Sequence, residues 1–240
     1  MDLQLETRSL VDAVTHALRD RILTGEIPAG AALTEQTVAT GANVARPTAK
    51  AAIERLTHEG LLRRGANKTA RVPQLDADDI ADLYFSRMFL EREAVAALAR
   101  ASTVPEPACD AHRRFQIAAK DRSLTGIVEA DIDFHVALVA ALNSPRVSRM
   151  HTSVMGEAHL CMAQVQAHRL LTAKTIATEH GAIVDAIASG EEETAARLLV
   201  DHLERARDRL VNNLAVISAT AAGAAATVPD PSPDTAAAES

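Results

Sequence analysis

Apolar residues recur every three or four positions along almost the whole chain, which predicts a mostly α-helical protein. The first stripe of this kind consists of Leu10, Val14, Leu18 and Ile22. Ser9 is the predicted N-cap of this helix, and Gly25 marks its end. A short helix follows Thr34, and a third helix opens at "NVARP", where Pro47 suits the first turn. The segment "LLRRGANKTARV" predicts a short hairpin, so residues 1–75 are expected to form a winged helix-turn-helix domain.

The rest of the chain predicts an antiparallel all-α helical bundle over residues 76–215. Its helices are expected at 77–101, 106–121, 124–142, 145–170, 173–189 and 191–214. Short breaks such as "STVPEP" and "NSP" separate them. Residues 216–240 have no apolar stripe and are rich in Ala and Pro, so they are predicted to be a disordered tail.

Positive charge is concentrated in the first domain, although the formal net charge of the 240 residues is -7. Residues 43–71 contain 7 basic and 2 acidic side chains. A basic island on an acidic protein favours a polyanionic partner for that part alone. The sequence shows no secretion signal and no apolar run that could span a membrane, and it contains two scattered cysteines, so we expect a cytoplasmic protein.

The basic residues fall where a helix-turn-helix protein contacts DNA. The N-terminal part of the second helix of such a motif lies in the major groove and reaches bases and phosphates. Here those positions are Arg46, Thr48 and Lys50. The basic residues of the wing include Arg63, Arg64 and Lys68, which could follow the DNA backbone. A basic helix and hairpin that simply face solvent are the alternative.

The stretch from Ala17 to Val72 resembles the DNA-binding domain of the GntR family of bacterial transcription regulators. Its most specific pieces are "LRDRILTGEIPAGAAL" and "NVARPTAKAAIERLTHEGLL". The resemblance implies that Arg46, Thr48 and Lys50 contact the operator, and that the wing tip approaches the minor groove. Gln36 matches a position that contacts DNA in some members. The usual Ser-Arg-Thr-Pro order is replaced here by Ala45-Arg46-Pro47-Thr48, which leaves the operator sequence open.

Several polar residues occupy apolar stripes of the predicted bundle, where unpaired burial costs about 1–3 kcal/mol each. Asp131 and His135 are one turn apart in "DIDFH", and His180 and His202 lie on two later stripes. Two side chains at this spacing project from the same face of a helix, as two ligands of one metal must. The predicted helices 173–189 and 191–214 are antiparallel neighbours, which can place His180 and His202 at the same height in the bundle. Three imidazoles and a carboxylate suit Zn, Ni, Mn or Fe. Core histidines with ordinary hydrogen-bond partners are the alternative.

Residues 78–213 are similar to the FCD domain, the all-helical effector domain of the FadR-like branch of the same family. The pattern Asp-x-x-x-His, Glu-His and a His in the last helix is met by Asp131, His135, Glu179-His180 and His202. In metal-binding members the Asp and the three His are the ligands. Arg87 matches an arginine that in many members faces the pocket and pairs with the carboxylate of an effector. The resemblance thus implies a divalent transition metal as cofactor and a small organic acid as ligand.

Two classes of function remain to be weighed. A metalloenzyme would need a general acid or base beside the metal, yet the sequence contains no HExxH motif, nucleophile motif or Gly-rich phosphate loop. The preferred interpretation is therefore a homodimeric transcription regulator that binds an inverted-repeat operator. It is expected to act as a repressor and to be controlled by a carboxylate ligand held at the metal. A regulator for which the metal itself is the signal is the second candidate.

Overall fold

The computed structural model describes residues 9–65, 69–165 and 173–226. These ranges form nine α-helices and three two-residue strands, and the mostly α fold class is confirmed. The N-terminal helices are α1 (Leu10–Leu23), α2 (Glu35–Ala42) and α3 (Arg46–His58), and the strands are β1 (Ala32–Leu33), β2 (Arg63–Arg64) and β3 (Ala70–Arg71). The later helices are α4 (Ala77–Arg100), α5 (Glu106–Asp121), α6 (Leu124–Ala140), α7 (Pro145–Val165), α8 (Ala173–Ala188) and α9 (Glu192–Ala226).

The N-terminal part is a winged helix-turn-helix. Ser9 caps α1 through a capping box with Asp12, and Thr34 caps α2 through Thr37, so both helix starts are fixed by local hydrogen bonds. Strands β2 and β3 form the predicted hairpin, and β1 adds to the other edge of β3 to give the antiparallel order β1-β3-β2. The sequence analysis did not predict β1, because two residues are too few for an alternating pattern.

Helices α4 to α9 form the predicted bundle, in which α4 packs mainly against α9 and α5 against α6. Its core contains aliphatic and aromatic residues from all six helices, among them Tyr84, Phe134, Ile183 and Leu199. Asp76 starts α4 through a capping box with Asp79, which places the domain boundary at the end of the wing. Within the described ranges, no helix combines the length and the apolar character that crossing a membrane requires.

Helix α9 is longer than the sequence predicted. It was expected to end at residue 214 and to be followed by a disordered tail at 216–240, but the helix continues to Ala226. Alanine has the highest helix propensity, so the segment "AVISATAAGAAA" can remain helical without an apolar stripe. The prediction was wrong for residues 216–226, and residues 227–240 lie outside the described ranges.

The two domains meet along α7. A Cβ on Gly156 would overlap the carbonyl oxygen of Glu59, and one on Gly60 would overlap the carbonyl oxygen of Ser153, so the backbones are in direct contact. Leu160 of α7 is fully buried in the apolar core of the winged domain. Helix α7 is therefore part of the packing of both domains.

Candidate metal centre and DNA-binding face

Four buried side chains from three helices converge in the core of the helical domain. Helix α6 supplies Asp131 and His135, α8 supplies His180, and α9 supplies His202, and one ligand atom from each lies within 4.8 Å of all the others. The Nε2 atoms of His202 and His135 are 3.3 Å apart, and His180 Nε2 is 3.5 Å from Asp131 Oδ1. Donors bound tetrahedrally to a metal at about 2.0–2.1 Å are themselves about 3.3 Å apart, so this donor set fits a transition-metal ion.

The unpaired ring of His180 supports the same interpretation. Both of its nitrogens are buried and have no hydrogen-bond partner among the described residues. The ring is held by stacking on Phe134, with the two ring centroids 4.1 Å apart. A buried polar group without a partner costs about 1–3 kcal/mol, a cost that a bound metal ion would remove.

Two carboxylates fix the orientation of the other rings. The Nδ1 atom of His135 is 2.6 Å from Oε2 of Glu91, and the Nδ1 atom of His202 is 2.7 Å from Oε2 of Glu179. When each Nδ1–H donates to its carboxylate, the Nε2 lone pairs of both rings are available at the centre of the cluster. Carboxylate–histidine pairs of this kind typically orient metal ligands and make them more basic.

The protonation of the cluster also suits a cation. Burial lowers the pKa of His180 well below its ordinary value, and it lowers the pKa of His135 and of His202. Neutral imidazole is the form that binds metals. Burial raises the pKa of the Asp131 carboxyl, while the positive charges of Arg87 and Arg209 oppose that rise.

Arg87, the predicted effector-binding residue, is fully buried next to this cluster. Its Nε donates to Oε1 of Glu91 at 2.8 Å, and its guanidinium lies 4.9 Å from the centre of the Tyr84 ring. Its Nη2 has no hydrogen-bond partner among the described residues. Arg87 lines a cavity of about 110 Å³ together with two members of the cluster, Asp131 and His202. The described residues that line the cavity are Tyr84, Arg87, Asp131, Met162, Ile176, His202, Ala206, Arg209, Leu210 and Asn213.

Sequence reasoning missed the residues around the ligands. Glu91 received no role, although it contacts Arg87, His135 and, at 3.2 Å, His151 Nε2. Glu179 was treated only as part of the Glu-His pair. The contacts of Glu91 with His135 and His151, and that of Glu179 with His202, join different helices, so no local spacing indicates them. The Arg87–Glu91 pair is the exception, because the two residues lie one turn apart on α4.

The predicted DNA-binding residues lie on two adjacent helices and the wing. Arg46 is the first residue of α3, and its side chain, like those of Gln36 on α2 and Lys50 on α3, is exposed. Thr48 is half-buried, and Lys50 forms a 3.8 Å ion pair with Glu54. These positions are compatible with contact to a duplex.

The wing differs from the expectation in one respect. Arg64 is exposed on β2, and Lys68 lies outside the described residues. Arg63 is also on β2, but it donates hydrogen bonds to Asp79 of α4 at 3.1 Å and to Glu157 of α7 at 2.6 Å. In this conformation Arg63 connects the wing to the helical domain.

Comparisons with known proteins agree with this architecture. Residues 10–72 match the family model of bacterial regulatory proteins of the gntR family, and residues 82–205 match the FCD domain model. The HTH-type transcriptional regulator BphR of Paraburkholderia xenovorans (strain LB400) is 26% identical over 212 residues, which cover 82% of this chain and 83% of that protein.

Solved structures show the same fold. A crystal structure described as a GntR transcriptional regulator of Rhodococcus sp. RHA1 has 29% identity and a TM-score of 0.73, covering 85% of this chain and 98% of that one. The metal-free FCD domain of the regulator TM0439 is 15% identical, with a TM-score of 0.52 over 60% of this chain and 99% of that domain. From the two domain matches, the winged helix-turn-helix and the helical bundle, this chain belongs to the GntR family of bacterial transcription regulators, with an FCD effector domain, and is not an enzyme.

Proposed function

We propose that this regulator binds an operator through α2, α3 and the wing, and that a small carboxylate held at a metal in the helical domain controls this binding. The observation that carries the proposal is Arg87, whose buried Nη2 is unpaired in the cavity that Asp131 and His202 also line. A buried guanidinium donor next to a metal is suited to a carboxylate, because both can bind the same group of oxygens. The metal would be Zn, Ni, Mn or Fe, held by Asp131, His135, His180 and His202.

The contacts of α7 support a route from this site to the DNA-binding domain. Arg87 pairs with Glu91, Glu91 contacts His151 of α7, and α7 contacts the end of α3 at Gly156. A ligand that draws Arg87 towards the metal would therefore change the packing of α7 and the position of α3. Since such coupling is reciprocal, an effector that releases DNA is itself bound more weakly by the DNA complex. We expect release, that is, a repressor relieved by its ligand in the bacterial cytoplasm.

We also propose a homodimer that binds an inverted repeat. Phe85 and Phe89 lie one turn apart on α4 and are 64% and 69% exposed, although aromatic rings of this size are usually buried. A two-fold dimer would cover them and place two α3 helices on successive half-sites.

A thermal-shift screen of the metal-loaded protein against small carboxylic acids tests the effector proposal. A ligand at 100 times its Kd adds about 2.7 kcal/mol of stability, which corresponds to roughly 5–10 °C for a chain of this size. We expect one class of acid to give such a shift and a chelator to abolish it. No shift with any acid, together with a loss of stability on chelation, would contradict the effector proposal and favour the metal itself as the signal.

A further inference from the structure

The ligand cavity contains a second arginine that the carboxylate proposal does not use. Arg209 of α9 lines the cavity, and its Nη2 is buried without a hydrogen-bond partner among the described residues. Arg209 forms no ion pair within the part of the chain that the structure describes, whereas Arg87 is paired with Glu91. Two separate arginines thus line one small cavity, and each has a buried Nη2 without a hydrogen-bond partner among the described residues.

The position of Arg209 separates it from the metal ligands. It follows His202 by seven residues on α9, which is two turns or about 10 Å along the helix axis. Side chains of a helix lean towards its N-terminus, so the guanidinium of Arg209 reaches back towards the cluster. The lining of the same cavity also includes the apolar residues Met162, Ile176 and Leu210. This arrangement suits a molecule with a polar group at each end and a short hydrocarbon chain in the middle.

The charges of the cavity favour a ligand with two negative charges. Glu91 balances Arg87, because the two form a buried ion pair. The two positive charges of a divalent metal exceed the single negative charge of Asp131 by one. Arg209 adds one more positive charge, so the site has an excess of two. A dianion balances this excess, whereas a monoanion would leave one partly desolvated charge uncompensated, which is costly.

The size of the cavity limits the ligand further. Its volume is about 110 Å³. An apolar cavity of about 150 Å³ accommodates benzene, so the volume here suits an acid of only a few carbon atoms.

We propose, on the basis of the function proposed above, that Arg209 binds a second acidic group and that the effector is a short dicarboxylate. Asn213, one turn further along α9, lines the same cavity and can donate to that group. The first carboxylate is bound by Arg87 at the metal, and the second by Arg209.

Isothermal titration of the full-length, zinc-loaded protein with acids of matched chain length tests this assignment. The probes are succinate against butyrate and malonate against propionate, with the zinc content measured after each titration because diacids chelate metals. We expect at least one diacid to bind about tenfold or more tightly than its monoacid, a difference of about 1.4 kcal/mol. Arg209→Gln should remove this preference and leave the affinity for the monoacid unchanged.

Two further variants serve as controls. Arg207→Gln removes a neighbouring arginine that is paired with Asp208, and it should behave as the wild type. Arg209→Lys keeps the charge and should retain part of the preference, which guards against a folding defect in Arg209→Gln. Monoacids that bind as tightly as diacids, or an Arg209→Gln variant that weakens both alike, would overturn the assignment of Arg209 alone. Failure of every acid to bind the zinc-loaded wild type would overturn the carboxylate function as well.

Discussion

The wing residue Arg63 donates a hydrogen bond to Glu157 of α7 at 2.6 Å, so an arginine expected to contact DNA is held by the effector domain. A second bond, from Arg63 to Asp79 of α4, strengthens this connection. The side chains of the Arg63–Glu157 ion pair are partly exposed, and exposed ion pairs contribute only about 0.2–1 kcal/mol to stability. DNA phosphates can therefore compete for Arg63.

Glu157→Gln should increase DNA affinity by about 1.4- to fivefold, because the pair that opposes phosphate binding is weakened by about 0.2–1 kcal/mol. Arg63→Gln should weaken binding to all sequences and lower the slope of log K against log salt by about 1. Fluorescence anisotropy over a series of salt concentrations measures both effects. Glu129→Gln, on the exposed face of α6, is the matched control. Unchanged affinity in both variants would show that Arg63 only connects the two domains.

Arg46→Ala should remove specific DNA binding, because Arg46 is exposed at the first position of α3, where it can pair with guanine or phosphate. The expected loss is about 1–3 kcal/mol for the preferred duplex. That duplex can be selected from a random library with the wild-type protein and then titrated at fixed salt. Arg113→Ala, which removes an exposed arginine of α5, should have no effect. The role of Arg46 would be refuted by equal affinity of variant and wild type.

The double substitution His180→Ala and His202→Ala should abolish metal binding, since it removes two of the four converging ligands. Elemental analysis after dialysis measures the occupancy, and circular dichroism checks the fold. The exposed pair His16→Ala and His58→Ala is the control. Glu179→Gln keeps all four ligands but weakens the hold on the His202 ring, so the metal affinity should fall by about 10–100-fold. Full occupancy in the double variant would mean that the ligands are other residues.

Phe85→Glu with Phe89→Glu should convert the proposed dimer into a monomer, because two charges would replace the exposed aromatic pair on α4. Light scattering after size-exclusion chromatography gives the mass. Ile117→Glu, at a residue of α5 that is 57% exposed, controls for a general effect of surface charge. If the wild-type protein has the mass of one chain, the proposed dimer is excluded. If the dimer survives the double substitution, its interface lies elsewhere.

Much of the fold could be predicted from periodicity, because each helix of the bundle has an apolar stripe and most helices end at a Gly, Pro or Asn. The metal ligands could be predicted for a related reason: Asp131, His135, His180 and His202 interrupt those stripes, and a family pattern joined them. Glu91, His151 and Arg209 could not be assigned roles in this way. Glu91 contacts His135 and His151 on two other helices, and Arg209 lines a cavity whose walls come from several helices. Only the packing of those helices brings these residues together.

The partners of Arg63 were missed for the same reason, since 94 residues separate it from Glu157. The C-terminal extension of α9 shows a different limit. The lack of an apolar stripe led to a prediction of disorder, but an alanine-rich segment can be helical without such a stripe.

The glycine contact between α7 and the end of α3 has a consequence for how freely such regulators can exchange domains. Gly156 and Gly60 leave no room for a side chain, and Leu160 completes the core of the winged domain. A DNA-binding domain transplanted from a relative would meet α7 correctly only if it had a glycine at the place of Gly60 and a surface that fits Gly156 and Leu160. New combinations of operator and ligand are therefore expected to arise more readily by substitutions within α3 and the cavity than by recombination at the domain boundary.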